Sequence, residues 1–220
     1  MEEFRTPGLY RRGPSLYTRN LRPGEKVYGE DLVSEEGIEY RRFDPWRSKL
    51  AAFATQGGDH WPYERVRSVL YLGGGHGTTA SHLSDILPRA TIHVVEKSPR
   101  AFGSLLALAE KRTNLFPVLA DVQLPERYRA DCGEVDHLYM DVSQRGQVEI
   151  FLENLRASLK PHGTGFLMLK TRSVTQTESP RAVLRDSTRH LEDEDVEVLE
   201  TVDLAPFSRG HFALLLRAPG

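Results

Sequence analysis

The sequence predicts an α/β fold: a Rossmann-like, mostly parallel sheet of about seven strands, with the last one antiparallel, behind a small N-terminal β domain. Three observations carry that prediction. From Val66 onward, a short apolar run, a turn signal and a helical stretch recur in that order. The apolar runs show almost no alternation, as strands buried on both faces require. The last two strand candidates are joined by only "APFSRG", which permits an antiparallel pair and is too short for a parallel crossover.

Residues 1–45 contain pieces such as "LYTRNL" and "KVYGEDLV", punctuated by Pro14, Gly24 and Gly37, which read as small antiparallel strands and turns. Asp44 before Pro45 predicts a helix start with proline at the first helical position, and "RSKLAAFATQ" continues it with good helix formers. The expected domains are therefore 1–45 and 46–220. Beyond the boundary the strands are "VRSVLYLG", "TIHVVEKS", "LFPVLAD", "VDHLYMDV" and "TGFLMLK", with helices near 77–87, 100–112 and 144–159. In the third helix Val148, Phe151, Leu152, Leu155 and Leu159 fall at helical spacing and present one apolar face to a sheet. A helix near 180–192 and the strands "DVEVLETVDL" and "GHFALLLRA" close the chain, the antiparallel strand lying at the end of the sheet.

At 220 residues the chain is long enough for one good-sized core, and a formal net charge of −2 lacks the basic excess of a bulk nucleic-acid binder. Basic side chains do gather early, at Arg11, Arg12, Arg19, Arg22, Arg41, Arg42 and Arg47, either as a phosphate-facing front or as a solvated mixed surface. No apolar run approaches the roughly 20 residues of a membrane span, and "MEEFRTPGLYRRG" lacks the apolar stretch of a secretory signal. A cytoplasmic protein with no membrane association is expected. Cys132 is the sole cysteine, which excludes an internal disulfide and a thiolate metal cluster. His76, His82 and His93 do not make a metal set, since His82 and Asp85 have the three-residue spacing of a local helical pair and His93 falls within a strand. No metal is expected.

In an open α/β sheet the ligand sits outside the carboxyl ends of the strands. Those ends carry, in order, the glycines of "YLGGGHGTTASH", then Glu96, Asp121, Asp141 and Lys170. Charges at the edge of a buried sheet cost several kcal/mol unless they are paired or solvated in a cleft, so four at consecutive strand ends point to a site. Gly75, Gly77 and Ala80 satisfy the G-x-G-x-x-G/A spacing of a dinucleotide fold, and Glu96 follows about 20 residues later, where a carboxylate accepts from a ribose diol. That pattern fits NAD and any other ligand with an adenosine. Asp121, Asp141 and Lys170 favour S-adenosyl-L-methionine, whose adenine amino group suits Asp121, whose ammonium and sulfonium suit a negative wall at Asp141, and which has no pyrophosphate. The bare loop at Gly73 and Gly75 admits its methionyl end. Thr78 and Thr79 start the helix aimed at it, as caps, as ligand contacts or as both.

The run "YLGGGHGTTASHLSDI", followed by "VVEKSPR", "LLALAEKRTN", "LADVQLPERYR", "YMDVSQ", the "LK" that closes the fifth strand and "APFSRGHF", resembles fibrillarin, the RNA 2′-O-methyltransferase family of box C/D guide ribonucleoproteins. The front resembles it too, in "LYTRNLRPGEKVYGEDLV" and "GIEYRRFDPWRSKLAA". The likeness runs from about Leu16 through nearly the whole chain with its segments in family order. It implies the class I S-adenosyl-L-methionine-dependent methyltransferase fold and a catalytic tetrad at Lys49, Asp121, Asp141 and Lys170. It implies cofactor contacts at Thr78, Thr79, Glu96, Lys97, Asp121 and Val122, and along Asp141, Val142, Ser143 and Gln144. In that arrangement Asp141 and Asp121 fix Lys170 and the cofactor's ammonium, and Lys49 completes the network. The resemblance also implies a Nop-type scaffold protein, a kink-turn-binding protein and a guide RNA that selects target rRNA or tRNA nucleotides. The sequence has no glycine- and arginine-rich N-terminal tail, which favours the archaeal fibrillarin-like form. Two positions depart from the family: His76 lies in the glycine loop, and Lys97 stands where an aromatic residue usually follows the ribose-binding glutamate. Two other readings stand beside this one, an NAD-dependent oxidoreductase and a non-catalytic ribonucleoprotein subunit that keeps the fold as a docking platform.

Overall fold

A computed structural model describes residues 1–175 and 177–220. The first five strands, β1 (Glu2–Arg5), β2 (Leu9–Arg12), β3 (Ser15–Arg19), β4 (Leu32–Glu35) and β5 (Ile38–Phe43), form an antiparallel sheet in the order β1-β2-β3-β5-β4. Helix α1 (Lys49–Thr55) follows, so its start is displaced from the predicted Pro45. Residues 45–47 form a separate turn on Asp44, whose Oδ1 accepts from Trp46 N at 3.0 Å and whose carbonyl accepts from Arg47 and Ser48 N at 3.0 Å. Ser48 is then extended, at φ −140° and ψ 124°, and its hydroxyl bonds that of Thr79 at 2.9 Å. This tie to a distant helix breaks a run that local propensity would continue.

The main sheet contains β6 (Ser68–Leu72), β7 (Thr91–Glu96), β8 (Leu115–Leu119), β9 (Val135–Met140), β10 (Leu159–Lys170), β11 (Glu197–Asp203) and β12 (His211–Arg217), in the order β11-β12-β10-β9-β6-β7-β8. Strands β6 to β10 are parallel, and β12 runs antiparallel to both of its neighbours. The antiparallel strand is thus last in sequence, as expected, yet lies one strand in from the edge because β11 flanks it. Helices α2 (Thr78–Ile86), α3 (Pro99–Ala109), α5 (Gln147–Ser158) and α7 (Pro180–Asp193) cover the sheet, with single turns α4 (Arg129–Cys132) and α6 (Thr171–Val174) in the connections. This is the class I methyltransferase topology that the resemblance implies. Helix α5 starts later than residue 144 because Gly146 caps it in the left-handed region, which leaves Gln144 on a loop. Strand β8 stops at Leu119, so Asp121 lies beyond the strand rather than at its end.

The strands read as unbroken apolar runs because both faces are covered. Val69, Tyr71, Tyr139, Phe166 and Met168 face α1, α2, α3 and the N-terminal sheet through Leu9, Leu16 and Phe43. Leu70, Leu138, Leu167 and Leu214 face α5 and α7. Cys132 is buried on this second side, where burial, helped by Asp131, pushes its thiol up to about 11, out of the range of a reactive thiolate. The N-terminal sheet approaches α2 so closely that a Cβ on Gly8, at φ +73°, would lie 2.8 Å from Ile86 Cα.

A buried charge cluster fixes that junction. Arg41 reaches Glu30 at 2.6 Å, Asp85 at 2.8 Å and Ser81 Oγ at 2.9 Å, while Arg112 donates to the other oxygen of Asp85 at 2.5 Å. Arg41 is fully buried, so it belongs neither to a phosphate-facing front nor to a solvated surface. His82 and Asp85 do not pair with each other: both bond Thr18 Oγ1, at 2.7 and 2.9 Å, and the other ring nitrogen of His82 meets Tyr28 OH at 2.8 Å. Burial, reinforced by Arg41 and Arg112, pushes the His82 pKa well down and keeps the ring neutral.

Asp85→Ala strands Arg41 and Arg112 without their shared carboxylate. It is expected to cost about 3–5 kcal/mol, read as a drop in Tm of roughly 10 °C or more; an unchanged Tm would show that the cluster carries no stability. A second expectation concerns pH. Burial holds His137 down at about 3, against 6.5 when unfolded. The unfolded chain therefore binds more protons below pH 6.5, and stability falls as the pH drops through that window. This residue alone accounts for about 2 kcal/mol between pH 7 and pH 5. Urea unfolding of His137→Gln is expected to show a shallower loss over that range than the parent, and equal slopes would remove His137 as the cause.

Candidate active site

A cleft of about 420 Å³ opens at the carboxyl ends of β6, β7 and β9, a size suited to a small-molecule cofactor. Gly73, Gly75, Val95, Glu96, Lys97, Val122, Asp141, Val142, Ser143 and Gln144 line it. All except Val95 are predicted cofactor contacts. Gly73 has φ +85°, and a Cβ there would lie 2.4 Å from Asp141 O, so any side chain would force the ends of β6 and β9 apart. Gly73 N and Gly74 N donate to Val95 O at 2.9 and 3.2 Å and bend the chain off the sheet. Glu96 is held at both oxygens, by Gly75 N and by Ser98 N, each at 2.8 Å. Each oxygen keeps a further lone pair for a hydroxyl donor.

At one side of the cleft, Lys49, the first residue of α1, places Nζ 2.6 and 2.8 Å from the two oxygens of Asp141. Lys170 ends β10, and its Nζ meets Ser143 Oγ at 3.4 Å. No carboxylate lies within 4.0 Å of that ammonium among the described residues. The expected fixing of Lys170 by Asp141 is therefore corrected, because Lys49 occupies both oxygens of that carboxylate. The backbone of Lys170 is held instead by buried Gln147, which bonds its N–H at 3.0 Å and its carbonyl at 3.1 Å.

Asp121 stands apart from those three. Its Oδ1 accepts from Gln123 N and Gln144 Nε2 at 3.1 Å, and Lys97 Nζ lies 3.5 Å from Oδ2. Burial works to raise its pKa, but these donors and the Lys97 charge outweigh it and hold the carboxyl below its usual value. Asp121 flanks the cleft through Lys97 and Gln144 rather than lining it. Thr78 and Thr79 do not line it either. Gly77, not a threonine, caps α2, with no side-chain capping bond, and the buried Thr79 hydroxyl is spent on Ser48. His76 is exposed and bonds Ser104 Oγ at 3.1 Å. Among the described residues no three His, Cys, Asp or Glu side chains are grouped to hold a metal ion.

Three residues escaped sequence reasoning. Val95 continues the apolar wall with Val122 and Val142, and one valine within an apolar run gives no reason to be singled out. Gln147 shows no chemistry in a linear reading. His211 begins β12 directly across from Lys170. Burial and then the Lys49 charge push its pKa down, with Lys170 adding to this and Asp141 opposing it, so it sits in the field of all three. The only signal for it was its place in "APFSRGHF". The lining combines carboxylates at Glu96 and Asp141 with a single ammonium, at Lys97, already paired with Asp121. Such a cleft suits a cationic adenosine derivative, and no arginine lines it to answer a pyrophosphate.

Comparisons with known proteins agree over the whole length. The fibrillarin family profile matches residues 5–219. The fibrillarin-like rRNA/tRNA 2′-O-methyltransferase of Thermoplasma acidophilum is 42% identical over 212 residues, covering 96% of this chain and 90% of that protein. Aeropyrum pernix fibrillarin, solved with natively bound S-adenosyl-L-methionine, superposes with a TM-score of 0.85 at 40% identity, covering 92% of this chain and 88% of that one. The fibrillarin of a fibrillarin/Nop5p complex gives a TM-score of 0.89 at 33% identity over 97% and 98% of the two chains. With its sheet order, its glycine loop and nearly all of its residues matched in sequence, this chain belongs to the fibrillarin family.

Proposed function

We propose that this chain transfers a methyl group from S-adenosyl-L-methionine to the 2′-hydroxyl of a ribose in rRNA or tRNA, as the catalytic subunit of a box C/D ribonucleoprotein whose guide RNA selects the nucleotide. The observation that carries the reading is the unneutralised ammonium of Lys170 beside a carboxylate-lined cleft, in a chain aligned end to end with proteins of that name. The cofactor, when bound, supplies a methyl group already activated on sulfur. What the protein must add is placement of a nucleophilic oxygen and a destination for its proton.

Glu96 accepts from the ribose diol. Val95, Val122 and Val142 wall the adenine, and the aliphatic stem of Lys97 covers part of it in place of an aromatic ring. Asp121, aligned by Gln144, accepts from the adenine amino group. The backbone at Gly73 and Gly75 leaves room for the methionyl chain, with Thr78 and Thr79 at the start of the helix beyond it. Asp141, steadied by Lys49, forms the negative wall. Lys170 meets the 2′-hydroxyl, taking its proton or stabilising the charge that develops on oxygen. His211, the cross-strand neighbour of Lys170, is favoured as a neutral ring beside that ammonium.

Residues 1–45 act as a separate β domain behind this site. A Nop-type scaffold, a kink-turn-binding protein and the guide RNA hold the substrate, which fits a near-neutral net charge, since most RNA affinity then belongs to the partners. We place the assembly in the cytoplasm. No helix among the described residues is long and apolar enough to cross a membrane.

In a reconstituted particle, Lys170→Ala is expected to lower guided methyl incorporation about 10²- to 10⁴-fold while leaving cofactor affinity within about twofold; near-parental turnover would refute the assignment. Glu96→Gln is expected to weaken S-adenosyl-L-methionine about tenfold or more by calorimetry. Parental affinity would remove Glu96 from the ribose site. Tight binding of NAD by the unmodified protein would favour the oxidoreductase instead.

A further inference from the structure

Trp46 is 62% exposed, more than any other large apolar side chain among the described residues. It is nevertheless held in place. Its backbone N–H is bound to Asp44, and its ring meets the edge of Phe207 with centroids 5.0 Å apart at 77°. Lys49 lies three positions on from Trp46, so their Cα atoms are at most about 11 Å apart. Phe207 belongs to the loop that leads into His211, and that loop is fastened to the residue after Lys170 by Thr171 N donating to Gly210 O at 3.1 Å. The aromatic pair therefore forms a ridge on the rim of the site, between the two segments that deliver Lys49 and His211.

Arg172 and Arg209, two residues from Lys170 and from Phe207 in sequence, are exposed, as is Arg47 beside Trp46; none forms an ion pair among the described residues, and the Arg47 guanidinium lies over the Tyr28 ring at 5.8 Å. A rigid exposed ring flanked by unpaired guanidinium groups is the chemistry that holds a nucleic-acid strand, the ring taking a base or sugar face and the arginines taking phosphates. An apolar protein partner would leave those charges buried without counterions. We propose that Trp46, backed by Phe207, is the platform for the target-strand nucleotide next to the one being methylated. The proposal rests on the methyltransferase reading and adds to it a residue that positions RNA rather than cofactor.

The test uses the complete reconstituted particle with a target RNA carrying 4-thiouridine on either side of the modified nucleotide. Trp46→Ala is expected to raise KM for target RNA about 5- to 100-fold, with cofactor affinity, Tm and particle assembly unchanged, and Trp46→Phe is expected to recover most of the loss. Irradiation is expected to link the thiouridine to the peptide containing residue 46. That link forms whether or not methyl transfer occurs, so an inactive parental particle that still crosslinks would overturn the proposed function and support this contact. An active particle with no crosslink and an unaltered KM in Trp46→Ala would overturn the contact alone. Loss of assembly in Trp46→Ala would also overturn it, by giving the ring to the protein scaffold.

Discussion

The bond between Lys49 and Asp141 is the constraint on which the site depends. It joins the start of α1 to the end of β9, segments far apart in sequence, at 2.6 and 2.8 Å. Two consequences follow from one interaction. The carboxylate keeps a defined orientation against the cleft, and its charge is answered, so the second ammonium at the site is left for a ligand. Had Asp141 paired with Lys170 instead, the ammonium to which we assign the 2′-hydroxyl would already be neutralised. Exposed ion pairs are worth little as stabilisers, and this one, with each side chain about a fifth exposed, is better understood as assigning roles to two lysines.

Holding α1 in position requires more than that bond. Ser48 leaves helical geometry to reach Thr79, which makes α1 begin where Lys49 can point at β9. Helix α2, which carries Thr79, is clamped from its other side by the N-terminal sheet through Arg41, Glu30, Thr18 and Tyr28. The antiparallel sheet is therefore mechanically upstream of the cleft although none of its residues lines it. A buried cluster of this kind is a weak source of net stability but fails badly when one member is removed, so it fixes one arrangement of α2 and with it the glycine loop.

How much of this was legible in the sequence depends on whether a residue acts through its own strand or across the fold. The central strands were readable because burial on both faces leaves an unbroken apolar run, whereas Leu159, read as the last apolar residue of a helix, instead opens β10. Glu96, Asp141 and Lys170 were singled out because ligands gather at parallel strand ends. The bond that the Thr79 hydroxyl makes was not legible, since its partner, Ser48, is the extended residue before another helix. Arg41 was grouped with the early surface arginines because nothing in "EYRRF" distinguishes the buried arginine from its less buried neighbour. Asp121 was read at a strand end, but β8 stops short and the side chain turns to Lys97 and Gln144. Gln147 and His211 needed the register of β10 against its neighbours, which no local pattern contains.

Near-neutral net charge and an RNA substrate are compatible once the distribution of charge is considered. Of the early arginines, Arg41 is buried in ion pairs, while Arg42 and Arg12 have acidic neighbours at 3.4 and 3.9 Å. Arg47, Arg172 and Arg209, on the segments that carry Lys49, Lys170 and His211, are exposed and have no such partner among the described residues. With 29 basic and 31 acidic side chains in the chain, the surface as a whole has no basic excess with which to bind any nucleic acid in proportion to charge. A subunit built this way adds little non-specific affinity that would compete with base pairing to a guide. It can orient a strand delivered to it, and orientation is what transfer of an already activated methyl group most needs.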